Sequence, residues 1–317
     1  MLYISILILC LFNPEITINS VKDCINLWAN SVVPVLLPFF IISKAIYYSG
    51  GINYFSKILN PLTKILGLDK NICFPFAMTL LCGYQTGSKT IALMEKDGLK
   101  NVDYYANICF SSSPLFVIGT VGTSILNNTH EGYMLYLIHI LSLLIFISIY
   151  QNKNNYEEII LSHTKGNITN AINESILGIL SVCCYMILFS IIISIISTIH
   201  ILPLKTTGIL SGLLEITTGI KIVSSILNNP LPVISFYLSF GGCCVNMQCI
   251  NNYNKINVIR FIINRIICGI ISFILCYLYK KTAIYLPIAI TAVIIIISNI
   301  LRRKKSYLLK SSKSCDI

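Results

Sequence analysis

The chain has 317 residues, of which 55% are hydrophobic and only 11% are charged. A soluble globular domain carries about 25% charged residues, so this composition excludes a soluble protein and predicts a membrane protein. The net charge of +11 is compatible with nucleic-acid binding. However, six of the 23 Lys and Arg residues follow the apolar run Ala283–Leu301, where basic residues mark a cytoplasmic end. We therefore expect contact with a lipid bilayer and not with nucleic acid.

The first half, residues 1–150, begins with segments of different length and polarity. Met1–Phe12 is too short for a full crossing, which takes about 20 residues, and predicts an anchor or a short helix. Ser31–Tyr48 is long enough to span. Gly50–Lys70 places lysines opposite apolar residues, a pattern typical of an interfacial helix.

Two interrupted segments and one ordinary span complete this half. Residues 71–94 run apolar from a proline and then break at Gly83–Lys89. Tyr104–Leu126 is interrupted by Ser111–Pro114, and Tyr133–Tyr150 is uninterrupted. Broken backbone is tolerated at membrane depth only where protein or a water-filled cavity covers it.

A polar connector, residues 151–174, separates this half from a second membrane half at 175–301. The second half contains, in order, these predicted segments: Ser175–Leu202, Thr206–Ile226, a proline-started broken element at 230–250, Phe261–Tyr279 and Ala283–Leu301. A basic tail, 302–317, ends the chain. The fold class predicted is an all-α polytopic membrane protein with broken or re-entrant helices.

The order of segments suggests two related halves. We match Gly83 with Gly241, and Ile58–Leu68 with Ile209–Ile220. Paired Gly/Pro-interrupted segments are typical of transporters built from inverted repeats, whose substrate site lies near the bilayer midplane.

The distribution of lysine and arginine predicts the topology. Residues 127–132 carry neither and are predicted outside. The connector, the stretch Asn251–Arg265 and the tail carry basic residues and are predicted cytoplasmic. Lys280 and Lys281 then fall outside, against the rule.

Polar residues within apolar segments are the candidate substrate-binding residues. Glu215 stands out, because an ionisable group at membrane depth is costly and usually functional. The alternative is that Glu215 lies at the membrane interface and is solvated. Lys89 also has two interpretations: it attracts an anion, or its side chain extends to the interface. The full set is Gly83, Tyr84, Gln85, Thr86, Gly87, Ser88, Lys89, Ser111, Ser112, Ser113, Glu215, Thr217, Thr218, Gly241, Gly242, Asn246 and Gln248.

Motifs for other chemistries are missing from the sequence. The order Gly-Ser-Lys at 87–89 does not fit a phosphate loop, and no nucleophile–base pattern or HExxH motif predicts an enzyme. The thirteen cysteines form no CxxC pair, so we expect small hydrophobic side chains and no metal site. We expect no cofactor.

Several of these stretches together resemble the YlbJ/SpoVV-type sporulation integral membrane proteins, within the wider group that has the nucleoside-recognition Gate domain. The matching stretches are Val33–Phe40, Cys82–Lys89, Ser113–Gly122, Leu214–Gly219 and Ser239–Gly242. The chain departs from the family at Gln85, where the family has proline, and at Asn246, where it has histidine.

The resemblance implies export of dipicolinate, a small planar dianion, from the mother cell across the outer forespore membrane. Helix ends near Lys89 would suit two carboxylates. A coupling ion, H⁺ or Na⁺, is an expected partner, and the oligomeric state stays open. The alternatives are a nucleoside carrier, which would be indifferent to Lys89, and a scaffold for spore assembly that transports nothing.

Overall fold

A computed structural model describes residues 2–150, 166–198 and 203–314, and throughout these ranges the chain is helical without any strand. The helices are α1 (Leu2–Phe12), α2 (Pro14–Leu27), α3 (Val33–Tyr48), α4 (Ile52–Leu66), α5 (Cys73–Cys82), α6 (Tyr84–Lys96), α7 (Val102–Ile108), α8 (Thr129–Ile149), α9 (Ile168–Thr198), α10 (Leu204–Leu214), α11 (Ile216–Ile226), α12 (Leu231–Phe240), α13 (Gly242–Ile250), α14 (Val258–Lys281) and α15 (Tyr285–Ser314). Two π-helical segments, Trp28–Val32 and Leu115–Ile125, and a 3₁₀ turn at Lys70–Ile72 complete the described elements.

The lengths and hydropathy of these helices are those of a polytopic membrane protein. Within the described ranges, five helical stretches are long and apolar enough to cross a bilayer: Pro14–Tyr48, Thr129–Ile149, Ile168–Ser197, Leu231–Ile250 and Val258–Lys281. Four shorter apolar stretches accompany them: Cys73–Cys82, Leu115–Ile125, Ile216–Ile226 and Tyr285–Leu301. The predicted all-α class is confirmed.

Helices α5 and α6 form a tight hairpin with Gly83 at its tip. Gly83 has φ of +88°, which a residue with a side chain rarely adopts. Thr79 and Gly87 lie on opposite arms, and a Cβ atom at Gly87 would overlap the Thr79 side chain. In a continuous helix these residues would be about 12 Å apart, so the chain reverses direction at the break.

The next element crosses the bundle and is interrupted at its centre. Helix α7 ends at Ile108, residues 110–113 are not helical, and the π-helical segment starts at Leu115. The non-helical backbone covers the hairpin tip: a Cβ at Gly83 would lie 3.1 Å from the backbone nitrogen of Ser113. Gly122 then packs closely against Gly132 of α8.

The same pair of elements recurs in the second half. Helices α10 and α11 form a hairpin with Glu215 at its tip, and a Cβ at Gly219 would overlap the backbone of Gly212. Helix α12, the break at Gly241 and Gly242, and α13 form one interrupted span. A Cβ at Gly242 would lie 3.4 Å from the Leu214 carbonyl oxygen, so this break also covers a hairpin tip.

The two halves are therefore related, but the matching of Gly83 with Gly241 is wrong. Gly83 and Glu215 are the hairpin tips, whereas Ser111–Ser113 and Gly241–Gly242 are the interruptions of the spanning helices. The match of Ile58–Leu68 with Ile209–Ile220 is also wrong, because the latter range contains a hairpin tip whereas the former is the C-terminal part of α4 and the two residues that follow it. Both errors arise because a glycine-containing break does not itself specify the direction of the chain after it.

Polar contacts define two ends of the bundle. At one end, Tyr47 donates to Asp97 at 2.5 Å and Lys44 pairs with Glu174 at 2.7 Å. At the other, Lys280 pairs with Glu131 at 3.2 Å. We call these the Asp97 end and the Glu131 end. Segments that are predicted to lie on the same side of the membrane are found at the same end of the bundle. Lys280, which is an exception to the positive-inside rule, pairs there with Glu131.

Three expected boundaries shift. Residues 151–165 of the polar connector lie outside the described residues, and 168–174 belong to α9, which begins seven residues before Ser175. The basic tail continues α15 as far as Ser314, and 315–317 are likewise outside the description. The span predicted at Phe261–Tyr279 begins three residues earlier, at Val258 of α14, and Arg265 is fully buried in its second turn.

Candidate functional site

The two hairpin tips face one cavity of about 90 Å³. Its polar lining includes residues of both hairpins and both interrupted helices: Gly83, Tyr84, Gln85, Ser113, Glu215, Thr217 and Gln248. Val35, Leu36, Val182 and Met186 supply apolar walls. A mostly apolar cavity with a few convergent polar groups is the usual form of a small-molecule site.

Glu215 provides the only charge on this lining among the described residues. Its carboxylate caps α11, accepting hydrogen bonds from the backbone N–H groups of Thr217 at 3.0 Å and Thr218 at 2.7 Å. Capping by a carboxylate satisfies donors that the first turn of a helix leaves free and opposes the positive end of its dipole. Although only 5% exposed, Glu215 lines the cavity.

The tip of the first hairpin lacks such a cap. Gly83 occupies the N-cap position of α6 and has no side chain to accept from the first turn. The N-terminus of α6 thus presents N–H groups and a positive dipole end beside the cavity. One hairpin tip carries a built-in carboxylate and the other does not, which makes the site electrostatically asymmetric.

The two departures from the resembled family have defined roles in this chain. Gln85, on α6, donates through Nε2 to Oε1 of Gln248 on α13, so the two repeats are joined across the cavity. Proline would be tolerated at Gln85, since the first helical turn requires no N–H donor. Asn246 donates to the carbonyl oxygens of Phe240 at 3.0 Å and Gly242 at 2.7 Å, bridging the break in the second interrupted helix.

His139 joins the two interruptions from behind the cavity. The backbone N–H of Ser112 lies 3.0 Å from Nε2, so this nitrogen accepts and the proton resides on Nδ1. Nδ1 then donates to the Ser239 hydroxyl at 2.7 Å, and Ser111 is 3.0 Å from Nε2. His139 therefore holds the two interruptions together through its two ring nitrogens.

A larger vestibule of about 940 Å³ adjoins the cavity towards the Glu131 end. Ser31, Thr120, Met186, Glu215 and Thr217 line both spaces. The vestibule continues between α2, α9 and α11, past Asp23, Ser190 and Lys221. The site is thus accessible from one end of the bundle.

The predicted site residues fall into three groups. Seven line the cavity, as given above, and Thr218 lines the vestibule. Thr86 and Lys89 line a separate small space nearer the Asp97 end. The remaining residues pack or bond behind the cavity: Gly87, Ser88, Ser111, Ser112, Gly241, Gly242 and Asn246.

Arg265 of α14 is a buried cation that was not among the candidate site residues. Its Nη2 donates to the carbonyl oxygen of Asn107 at 2.5 Å, at the C-terminal end of α7 where the backbone leaves its helix. The guanidinium also lies 4.6 Å from the ring centre of Phe110 and 5.1 Å from that of Phe146. A cation at a helix C-terminus opposes the dipole, so Arg265 stabilises the interruption before Ser111. The signal in the sequence that could have indicated its burial is the apolar sequence around it in α14.

We expect Arg265→Ala to lower the free energy of unfolding by about 3 kcal/mol, because it leaves a cavity among phenyl rings and an unpaired helix end. Arg260→Ala is the matched control, since Arg260 is exposed on the same helix, and should change it by less than about 0.5 kcal/mol. Thermal unfolding of both variants in detergent measures the difference. Equal effects of the two substitutions would contradict this role.

Fold and cavity together define a multi-pass membrane protein in which two hairpins and two interrupted helices enclose a polar site. Residues 29–150 match the sequence profile of the Gate family, described as nucleoside recognition. The chain is similar to the sporulation integral membrane protein YlbJ of Bacillus subtilis (strain 168), with 26% identity over 85% of this chain and 79% of that protein. The resemblance carried by the sequence motifs is confirmed. No solved structure matches the chain.

Proposed function

We propose that this protein transports a small organic anion, dipicolinate, from the mother cell towards the forespore during sporulation. The observation that carries the proposal is the cavity between the two hairpin tips, with the uncapped end of α6 facing it and a vestibule leading to it. Transporters hold substrates near the midplane at interrupted helices, whose N-termini bind anionic groups. The similarity to a sporulation membrane protein supports the biological setting.

Glu215 makes a coupling ion necessary for such a cargo. Two unit charges about 4 Å apart repel by about 4 kcal/mol at an effective dielectric constant of about 20. No lysine or arginine among the described residues lines the cavity to offset this. A dianion therefore enters with a cation, H⁺ or Na⁺, that neutralises Glu215. The other titratable groups near Glu215 are Cys82, Tyr84 and Cys244 on the cavity lining and Asp23, Cys24 and Lys221 on the vestibule lining.

The charge distribution supports an orientation in which the Asp97 end and the C-terminus face the mother-cell cytoplasm. The vestibule then opens away from that cytoplasm, so this conformation is the one that releases exported substrate. The opposite conformation would close the vestibule and open a path along α3 and α6, as alternating access between repeats requires.

Uptake of labelled dipicolinate and uridine into proteoliposomes tests the proposal. We expect the parent protein to take up dipicolinate in a saturable manner, accelerated by an imposed proton or sodium gradient, and to exclude uridine. Empty liposomes are the control. Absence of dipicolinate uptake by well-folded protein would overturn the proposal.

A nucleoside carrier is the second candidate, favoured by the Gate match and by Gln85 and Gln248 on the cavity wall. Amides and a carboxylate can hydrogen-bond the hydroxyls and base of a nucleoside without any repulsion. Uptake of uridine without dipicolinate would establish this candidate. Uptake of neither compound would favour a membrane scaffold that transports nothing.

A further inference from the structure

A second polar space lies beyond the central cavity on the same two helices. On α3, Val35 and Leu36 line the central cavity, and Ser43 and Lys44 line the second space two turns later. On α6, Tyr84 and Gln85 line the central cavity, and Thr86 and Lys89, which follow them, line the second space. Since both helices run towards the Asp97 end, vestibule, cavity and second space form one series along the bundle.

Lys89 has an unsatisfied amine in this space. Its Nζ is buried and has no hydrogen-bond partner within the described residues. The Phe40 ring, with its centre 4.0 Å away, offers the ammonium a cation–π contact. That contact does not replace hydrogen bonds, and a buried donor without a partner is costly. A carboxylate oxygen is the acceptor that an ammonium group binds most strongly.

Lys44 adds a second cation, paired with a carboxylate that is half exposed. Glu174 accepts from Lys44 at 2.7 Å and from the Tyr48 hydroxyl at 2.8 Å. The Lys44 side chain is 8% exposed and that of Glu174 is 42% exposed, towards the Asp97 end. A passing carboxylate can therefore replace Glu174 at Lys44 while Glu174 moves into solvent.

Phe40 and Gly178 close the space in this conformation. Its volume is about 10 Å³, enough for about one water molecule and not for a carboxylate-bearing substrate. A Cβ at Gly178 of α9 would lie 3.5 Å from Phe40 Cδ2 and would overlap the Lys89 amine. The close approach of α9 to α3 and α6 thus keeps the path shut at this point.

We propose that Lys89 and Lys44 form a second carboxylate-binding station on the transport path, occupied when α9 moves away and the path opens towards the Asp97 end. The inference rests on the proposed function, because it assigns a place for the anion between the cytoplasm and the central cavity. It also accounts for lysines that lie near the central cavity without lining it.

The test compares flux and affinity for substrates with two, one and no carboxylates: dipicolinate, picolinate and uridine. Loss of a charge-assisted hydrogen bond is worth about 1.5–3 kcal/mol, so Lys89→Gln should lower dipicolinate flux about tenfold or more. The Kd of dipicolinate for the purified Lys89→Gln protein reports binding in the central cavity, and it should change less than about twofold. Picolinate flux should fall less, and any basal uridine flux should not change.

Matched variants separate charge from structure. Lys89→Arg should retain most of the dipicolinate flux, and Lys64→Gln, which removes an exposed lysine of α4, should leave it unchanged. Size-exclusion profiles and thermal unfolding show that each variant is folded.

Three outcomes would overturn the station: unchanged dipicolinate flux in Lys89→Gln, an equal loss of picolinate flux, or a Kd weakened as much as the flux. A parent protein that moves no dipicolinate would overturn the proposed function and the station with it. A parent that moves dipicolinate while Lys89→Gln does so equally well would overturn the station alone.

Discussion

Glu215→Gln is expected to abolish gradient-driven accumulation of dipicolinate while strengthening its binding. The carboxylate is the one charge lining the cavity within the described chain, and its neutralisation is what admits a dianion together with a cation. Removal of a repulsion of up to about 4 kcal/mol should raise the affinity at least about tenfold. Without a site for the coupling cation, uptake should stop at passive equilibration.

The fold should survive this substitution. A glutamine carbonyl can still accept from Thr217 or Thr218, so the loss at the N-terminus of α11 should be about 1 kcal/mol. Affinity is measured by titration of purified protein, and accumulation by uptake with and without an imposed proton or sodium gradient.

Asp23→Asn is the matched control for Glu215→Gln. It also converts a carboxylate into an amide, but Asp23 is exposed and lines the vestibule without reaching the cavity. We expect both affinity and accumulation to change less than about twofold, since charges in contact with water interact weakly. Weaker dipicolinate binding in Glu215→Gln would contradict the coupling role and favour a neutral, nucleoside-like substrate.

Gly219→Ala is expected to prevent closure of the second hairpin. A Cβ at Gly219 would overlap Gly212 Cα and lie 3.0 Å from the carbonyl carbon of Ser211, all backbone atoms that no rotamer change can move. Separating α10 from α11 displaces Glu215 and opens a gap beside Gly242. We expect the free energy of unfolding to fall by about 3 kcal/mol or more, with loss of transport.

Gly119→Ala controls for the general effect of replacing a membrane glycine. A Cβ there meets only the Leu115 side chain, at 3.6 Å, which is an ordinary contact. The free energy of unfolding should change by less than about 0.5 kcal/mol. Thermal unfolding in detergent and uptake in proteoliposomes measure both variants. Equal unfolding temperatures for Gly219→Ala and the parent would show that the hairpin arms are not in contact.

Much of the site was predictable because its signals are local. A glycine-rich break at Gly83 and a carboxylate at Glu215 are unfavourable within any apolar helix, so their presence alone indicates a covered polar site. Ser111–Pro114 could be recognised as an interruption for the same reason, since proline and serines disturb helical hydrogen bonding.

Residues remote in sequence were not predictable in this way. Three further residues line the cavity or its entrance only because elements that are distant in sequence converge there: Ser31, Thr120 and Cys244. His139 looks like any polar residue within an apolar helix until Ser112 and Ser239 are brought to its two nitrogens.

The sequence by itself determined the membrane class, the all-α fold and the positions of the breaks, because each depends on composition within about one helix length. Tertiary structure alone decided which breaks reverse the chain. At Gly83 and Glu215 the chain turns back, since Gly87 and Gly219 allow the arms to touch, whereas at Gly241 it continues across the bundle. Tertiary structure also decided which cations are buried, because burial depends on neighbouring helices. Lys89 lies beside Phe40, and Arg265 lies among three phenyl rings.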